Sequence, residues 1–389
     1  MKKWGLLLFI LISTLITLTA LFRPTAGEKA KGWRVAMITD SGDITDRSFN
    51  QQTFEACRDF CQKHNLSYTY LKPDGDNDSA RIAAADTAVA RGYNIIVMPG
   101  FVFAGALNKS THRHPEVKFI SLDLTEATIC AAGVGQKYYE NPSQYKASDY
   151  YNSQNTYVAN YQEEIGGYLA GYYAVQSGYR KLGYLGGSAV PAVVRYGYGF
   201  LQGIDDAAAE LGVSDKVSVQ YAYAGQFYGS NEITAVMETW TRKGTEVVFA
   251  AGGSIWASAA EAASKGGGKI IGVDLDQKDM IDEYGAGMTL TSAMKRVDRT
   301  IDRALTAITD GTWEKDCAGK IERLGIVSPD PEKNFLSLSG TTQWDKGFTK
   351  EKYKQLVREI YEKKRVINSQ IEQLPKTKVK VNVRAGTIM

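Results

Sequence analysis

Histidine is scarce in this chain, with 3 in 389 residues, and none stands beside a plausible nucleophile. No Gly-x-Ser-x-Gly, P-loop or His-Glu-x-x-His run occurs. The common serine-hydrolase, phosphoryl-transfer and zinc-protease chemistries therefore have no motif to rest on. A Gly-x-Gly-x-x-Gly turn is also missing after the first strand-like run, which removes the usual dinucleotide cradle. Cysteine is sparse: Cys57, Cys61, Cys130 and Cys317 are too few to staple a chain this long. Cys57 and Cys61 lie four apart on one face of a predicted helix. They suit buried free thiols or half of a metal site, for which His64 is the only nearby histidine. Finally, the chain has no basic field. Its formal charge of +3 comes from residues 1–27, which hold Lys2, Lys3 and Arg23 and no acid. The rest carries as many basic as acidic residues, 43 of each, so nucleic acid is not an expected partner.

What is present begins with a targeting pattern. Lys2 and Lys3 precede 19 uncharged residues, Trp4 to Phe22. As a helix these span about 28 Å, close to a bilayer core. Thr25-Ala26-Gly27 offers small residues for a signal peptidase. Residues 1–27 are read as a signal peptide or an N-terminal membrane anchor, which puts the rest of the chain outside the cytoplasm, in the periplasm or at the cell surface. Cleaved and retained forms both fit. No cysteine precedes Cys57, so no processed N-terminal cysteine is available for a lipid.

Strands and helices then alternate at βαβ spacing. Predicted strands are Arg34–Thr39, Ser67–Leu71, Ile95–Met98 and Lys118–Leu122, with helices near Thr53–His64, Ser79–Arg91 and Ala104–Thr111. The stretch Thr125–Gln154 is polar, rich in tyrosine and without helical period. The alternation restarts with a helix near Tyr161–Ser177. Predicted strands Lys181–Leu185, Val217–Tyr221, Glu246–Ala250 and Lys269–Val273 follow, separated by helices. A helix Ala293–Asp310, a strand-like Arg323–Ser328 and an amphipathic helix Lys350–Lys364 come last. Two βα series imply an α/β protein of two doubly wound, Rossmann-like lobes. If the late elements return to each lobe in turn, three crossings form a hinge and the cleft between lobes is the natural ligand site. The expected division is 31–150 plus about 291–322 for lobe 1, and 155–290 plus about 323–370 for lobe 2. Residues 371–389 read as a polar tail.

The loop after the first strand draws attention first: Met37-Ile-Thr-Asp-Ser-Gly-Asp-Ile-Thr-Asp-Arg-Ser-Phe-Asn-Gln51. Ligands of open α/β sheets bind where strand C-termini meet helix N-termini. This loop puts Asp40, Phe49 and Asn50 there. Further pieces follow in order: Glu164-Ile-Gly-Gly-Tyr-Leu-Ala-Gly171, Ala251-Gly252-Gly253, Ile271-Gly-Val-Asp-Leu-Asp-Gln277, Thr291-Ser-Ala-Met-Lys-Arg-Val-Asp298 and Phe348-Thr-Lys-Glu-Lys-Tyr353. Together they resemble the basic membrane protein family of ABC-transporter substrate-binding proteins, the PnrA-like purine-nucleoside receptors. The resemblance covers nearly the whole chain after the N-terminal segment. It implies a type I periplasmic-binding-protein fold with a three-segment hinge.

The resemblance also implies a purine clamped between two rings, Phe49 from one lobe and Phe227 from the other, with Tyr228 adjacent as a substitute. A ring from each lobe couples binding to closure. Asp274 matches the aspartate that holds ribose hydroxyls, Lys295 a lysine that donates to the sugar, and Asp123 an aspartate facing the base. Asp40 and Asn50 complete the polar set, and Gly252 and Gly253 let backbone approach the ligand. Each carboxylate is also a candidate helix cap or turn residue. The implied partners are a purine nucleoside (inosine, guanosine or adenosine) and the permease and ATPase subunits of an ABC importer, with the receptor a monomer and no cofactor.

Three departures stand out. Asp43 replaces a common glycine, the lipobox cysteine is missing, and Thr125–Gln154 is longer than expected. Its Tyr138, Tyr139, Tyr145, Tyr150 and Tyr151 suit a cap over the cleft, a permease contact or surface decoration. Three other readings compete with the nucleoside receptor: a pentose or hexose receptor of the same fold, a nucleoside-processing enzyme, and a sensor that binds the ligand and signals without transport. The second would want a metal on Asp274, Asp276 and Asp279, where Lys295 would compete with the cation.

Overall fold

A computed structural model describes residues 32–40 and 42–389. The expected signal or anchor segment lies outside the described residues. Among those described, no helix is long and apolar enough to cross a membrane.

The chain builds two sheets. The first contains β1 (Arg34–Ile38), β2 (Ser67–Leu71), β3 (Ile95–Pro99), β4 (Lys118–Leu122) and β5 (Thr156–Tyr161). The second contains β6 (Lys181–Gly186), β7 (Ser218–Tyr223), β8 (Val247–Ala251), β9 (Lys269–Asp274) and β10 (Thr289–Lys295). β11 (Ile321–Leu324) returns to the first sheet, while β12 (Leu336–Leu338) and β13 (Lys380–Thr387) join the second. Strand orders are β11-β5-β4-β3-β1-β2 and β12-β10-β9-β8-β6-β7-β13. All pairings are parallel except β10 with β12. Helices cover both faces, so the inner strands are apolar along their whole length: Val35 to Ile38 and Ile95 to Met98 are fully buried. In each sheet the winding reverses once, between β1 and β3 and between β6 and β8. Those switch points are where an open α/β sheet leaves a crevice.

The chain crosses between sheets three times, and the crossings lie side by side. They are Gln162, Arg296 and the stretch 325–335. Gln162 N–H donates to Leu324 O at 2.9 Å, and Arg296 N–H donates to Phe335 O at 2.8 Å. The first crossing falls after β5, later than the expected break at residues 150–155. β5 is hidden in sequence because Asn155 and Asn160 look like loop residues. Each is paired inside: Asn155 Nδ2 donates to Thr111 O and His114 O, and Asn160 Nδ2 to Leu124 O, all at 3.0 Å.

The expected helix Ala293–Asp310 splits into β10 and a helix Val297–Thr309, with Arg296 outside helical geometry at the second crossing. Thr289, Thr291 and Ser292 are buried between β9 and β12, and β-branched residues favour that setting. The supposed tail is β13, which extends the sheet by backbone pairing with β7. Its side chains are mostly exposed, so no core face marks it in sequence.

Residues 125–154 also hold structure. A helix Glu126–Val134 starts with a capping box in which Thr125 Oγ1 accepts from Thr128 N–H. Tyr138, Tyr145 and Tyr150 pack against a core of the first lobe, Tyr151 is buried, and only Tyr139 is well exposed. Cys57 and Cys61 sit in a second core, and all four cysteines are free and buried. Burial pushes the Cys61 thiol up to about 12.

Candidate functional site

A cavity of about 620 Å³ lies where the C-terminal strand ends of the two sheets face each other. All nine residues singled out from sequence line it: Asp40, Phe49, Asn50, Asp123, Phe227, Gly252, Gly253, Asp274 and Lys295. Each follows or ends a strand, or starts the next helix. Asp40 lies just beyond β1, Asp123 follows β4, Gly252 and Gly253 follow β8, Asp274 ends β9 and Lys295 ends β10. Phe49 opens the helix Phe49–Lys63. Asp123 and Asp274 hold left-handed backbone, with φ of 60° and 66°. Aspartate tolerates that region better than most residues, and such strain gathers where a side chain must be aimed.

The first-lobe loop is organised by Asp46, a residue that no local sequence signal marks for this role. Its Oδ1 accepts from Ser48 N–H at 2.9 Å and Gln51 N–H at 3.0 Å. Its Oδ2 accepts from Asn50 N–H at 3.0 Å and Asn50 Nδ2 at 2.9 Å. A carboxylate there also complements the helix N-terminus. Asn50 Nδ2 donates in addition to Asp40 Oδ1 at 2.9 Å. Asn50 is thus buried with both amide hydrogens engaged, and it holds two aspartates in place. Asp40 Oδ1 also accepts from Gly42 N–H at 2.7 Å, which leaves Oδ2 for the cavity.

The centre is a chain of buried charges. Lys295 Nζ donates to Asp123 Oδ1 at 3.1 Å and Oδ2 at 2.9 Å, and lies 3.1 Å from Glu163 Oε1. Arg195 Nε donates to Glu163 Oε2 at 2.6 Å. Burial works against the Lys295 charge, but Asp123, Glu163 and Asp274 outweigh it and hold the pKa above the ordinary lysine value. Burial, together with the Glu163 charge, pushes Asp123 up to about 6 even with Lys295 beside it. Burial also raises Asp274 and Asp40. For Glu163, Arg195 and Lys295 overcome burial and keep the carboxyl below its usual range. The wall therefore carries more carboxylates than cations, and Lys295 also lies 4.8 Å from the Phe49 ring centroid.

The two lobes touch directly around this centre. Ser48 Oγ donates to Asp274 Oδ2 at 2.7 Å. Gln52 Nε2 donates to Lys295 O at 2.8 Å, and Gln277 Nε2 to Arg47 O at 3.0 Å. The expected reason for the glycine pair also changes. A Cβ on Gly253, whose φ is 58°, would lie 2.1 Å from Phe227 O, and one on Gly252 would lie 3.2 Å from Phe227 Cδ1. These glycines make room for the ring-bearing loop. Asp43 is paired with Lys72 at 3.1 Å on the surface and does not line the cavity.

The sequence reading missed Glu163 and Arg195. A lone arginine beside Val193, Tyr196 and Phe200 on a buried helix face was the available signal. Among the described residues no cluster of His, Cys, Asp and Glu is arranged to hold a metal.

Two doubly wound lobes, a hinge of adjacent strands and a cleft between strand C-termini define a two-lobed solute-binding protein. The chain belongs to the family described as ABC transporter substrate-binding protein PnrA-like, whose model matches residues 33–328. It is 25% identical over 331 residues to a CD4+ T-cell-stimulating antigen of Listeria innocua, covering 78% of this chain and 84% of that one. It is 23% identical to the ABC transporter nucleoside-binding protein BmpA of Lactococcus lactis, covering 74% and 78%. A lipoprotein of Pyrococcus abyssi is 22% identical over 93% of this chain and 86% of its own. Among solved structures, an ABC-transporter solute-binding protein of Conexibacter woesei superposes with a TM-score of 0.64 at 18% identity, covering 87% and 99%. One from Aeropyrum pernix gives 0.61 at 21% identity, covering 85% and 86%. The family is one of substrate-binding proteins of ABC transporters, which work outside the cytoplasm.

Proposed function

We propose that this protein captures a purine nucleoside (inosine, guanosine or adenosine) between its lobes and delivers it to the permease and ATPase of an ABC importer. The observation that carries this reading is one cavity lined by Phe49 from the first lobe, Phe227 from the second and carboxylates from both. Rings suit a flat base, and stacking contributes about 1–3 kcal/mol per base. Carboxylates Asp40, Asp123 and Asp274 accept hydrogen bonds from sugar hydroxyls and ring N–H groups, and charged acceptors make the stronger bonds. Lys295 is engaged by Asp123 and Glu163. Its role is to keep those carboxylates charged and aimed at the ligand. The excess of acid over base opposes a phosphate, so the free nucleoside is preferred to the nucleotide. The nucleoside-binding relative from Lactococcus lactis supports the same ligand class.

A thermal-shift and calorimetric screen tests this. Inosine, guanosine or adenosine raises the melting temperature, and ribose, glucose and inosine monophosphate do so much less. A ligand at 100 times its Kd adds about 2.7 kcal/mol. Equal protection by ribose would convert the reading to a pentose receptor. Release of free base on long incubation would convert it to an enzyme.

A further inference from the structure

Arg195 has more hydrogen-bonding capacity than the protein uses. It lies on the helix Pro191–Glu210, is only 8% exposed and lines the cavity. Among the described residues it makes one hydrogen bond, from Nε to Glu163 Oε2 at 2.6 Å. The two outer guanidinium nitrogens have no protein acceptor, and they are not sealed from the cavity as the neighbouring Tyr196 hydroxyl is. The other lining donors of comparable strength are engaged. Lys295 Nζ is held by Asp123 and Glu163. The Asn50 amide is held by Asp40 and Asp46. Ser48 Oγ donates to Asp274. The cavity thus offers many carboxylate acceptors and, among the described lining residues, one cationic fork with donors to spare.

A purine nucleoside divides its own groups in a matching way. Ribose hydroxyls and the N1–H of a 6-oxopurine are donors and suit carboxylates. The O6 and N7 edge of a 6-oxopurine carries two adjacent acceptors and no donor, and a guanidinium meets that edge with two parallel N–H groups. Adenosine puts an amino group at the same edge, donor against donor. We propose that Arg195 reads the O6/N7 edge and makes this protein a receptor for 6-oxopurine nucleosides, inosine and guanosine over adenosine. Glu163 acts as a positioning residue: it fixes Nε and turns the outer nitrogens toward the ligand. The inference rests on the nucleoside reading above and narrows it.

The test keeps the two separable. Calorimetric titration of the unaltered protein compares guanosine, 7-deazaguanosine, inosine and adenosine. Guanosine and inosine bind 10-fold or more tighter than adenosine, and removal of N7 in 7-deazaguanosine weakens binding by a similar factor. In Arg195→Lys, which keeps a charge beside Glu163 but has no fork, the inosine-to-adenosine ratio falls toward one. A purely structural arginine would lower affinity for every nucleoside alike and leave that ratio unchanged. Equal binding of guanosine, 7-deazaguanosine and adenosine by the unaltered protein overturns the role of Arg195 and leaves the nucleoside reading standing. No binding of any nucleoside overturns the nucleoside reading and this inference with it. If Arg195→Lys fails to fold, the 7-deaza comparison decides alone.

Discussion

Lys295 Nζ lies 2.9 Å from Asp123 Oδ2, although Asp123 follows a strand of the first sheet and Lys295 ends a strand of the second. The lobes are therefore joined by charge across the cleft. The ammonium is buried, and its second carboxylate, Glu163, is wholly enclosed. Such a centre holds only while every member is paired, because an isolated buried charge is costly.

Removal of Lys295 is expected to be severe. In Lys295→Met, Asp123 and Glu163 lose their shared cation and face each other across low dielectric. Breaking a buried pair in this way costs about 3–5 kcal/mol. Asp123→Asn should cost less, since Lys295 keeps Glu163. Urea unfolding of both variants measures the order. A Lys295→Met midpoint equal to that of Asp123→Asn would show that Glu163 does not depend on the lysine.

Phe49 and Phe227 are half-buried, each packed against a core of its own lobe. Truncation to alanine is expected to cost each about 1–3 kcal/mol of ligand affinity, or roughly 5- to 150-fold in Kd. The double variant should lose less than the sum of the two single losses, because loss of either ring already weakens the lobe closure that both contacts need. Calorimetry on both single variants and the double variant measures this. Unchanged affinity in both single variants would remove the ring clamp from the proposal.

Residues at strand ends were legible in sequence, and residues that act through tertiary pairing were not. Asp123 and Asp274 each close an apolar strand, so their place in a crevice follows from strand geometry. Phe49 stands out for the same reason, as an aromatic at a helix start. Asn50 stands in the same loop, but nothing local says that its amide bridges Asp40 and Asp46. Glu163 and Arg195 are 32 positions apart, and only the packing of their two helices brings them together. Two of the structural misses have a common cause. β5 carries polar residues whose partners come from distant segments, and β13 is held mainly by backbone pairing, with Val381 alone of its side chains packed on the core, so neither shows an apolar period.

Acidity should act on the free protein and on binding in opposite directions. The Asp123 carboxyl moves from its ordinary 3.8 up to about 6 on folding. Between those values the folded chain holds more protons than the unfolded one, so this contribution to stability is present below about pH 4 and is lost as pH rises through about 6. Burial moves Asp40 and Asp274 in the same direction. Glu163 is shifted the other way, and its contribution disappears only in stronger acid. Unliganded protein should thus lose stability between about pH 4 and 6, with a shallower slope in Asp123→Asn. Nucleoside affinity should rise over the same interval, because a ring N–H of the base is accepted best by the charged Asp123 carboxylate. Melting curves and titrations at matched pH check both. A parallel rise of stability and affinity would contradict the assignment.

The last strand offers a test of how the second ring is held. β13 runs along β7, and beyond it Ile388 N–H donates to Tyr223 O and Met389 N–H to Ala224 O, both at 3.0 Å. Gly225, with φ of 91°, is next in the chain, and a Cβ on it would lie 3.1 Å from Thr387 Cβ. Ser230 Oγ, on the far side of the loop, donates to Met389 Sδ at 3.4 Å. The terminal residues therefore grip both ends of the loop that carries Phe227, without lining the cavity themselves. Truncation after Ala385 removes these ties and leaves the pairs from Lys380 to Val383 with β7 intact. It should lower nucleoside affinity several-fold and shift unfolding little, since most of the lost side chains are exposed. Truncation after Lys376 removes the whole strand and should also lower the melting temperature. Equal affinity in the full chain and the shorter truncation would mean that Gly252 and Gly253 seat the ring unaided.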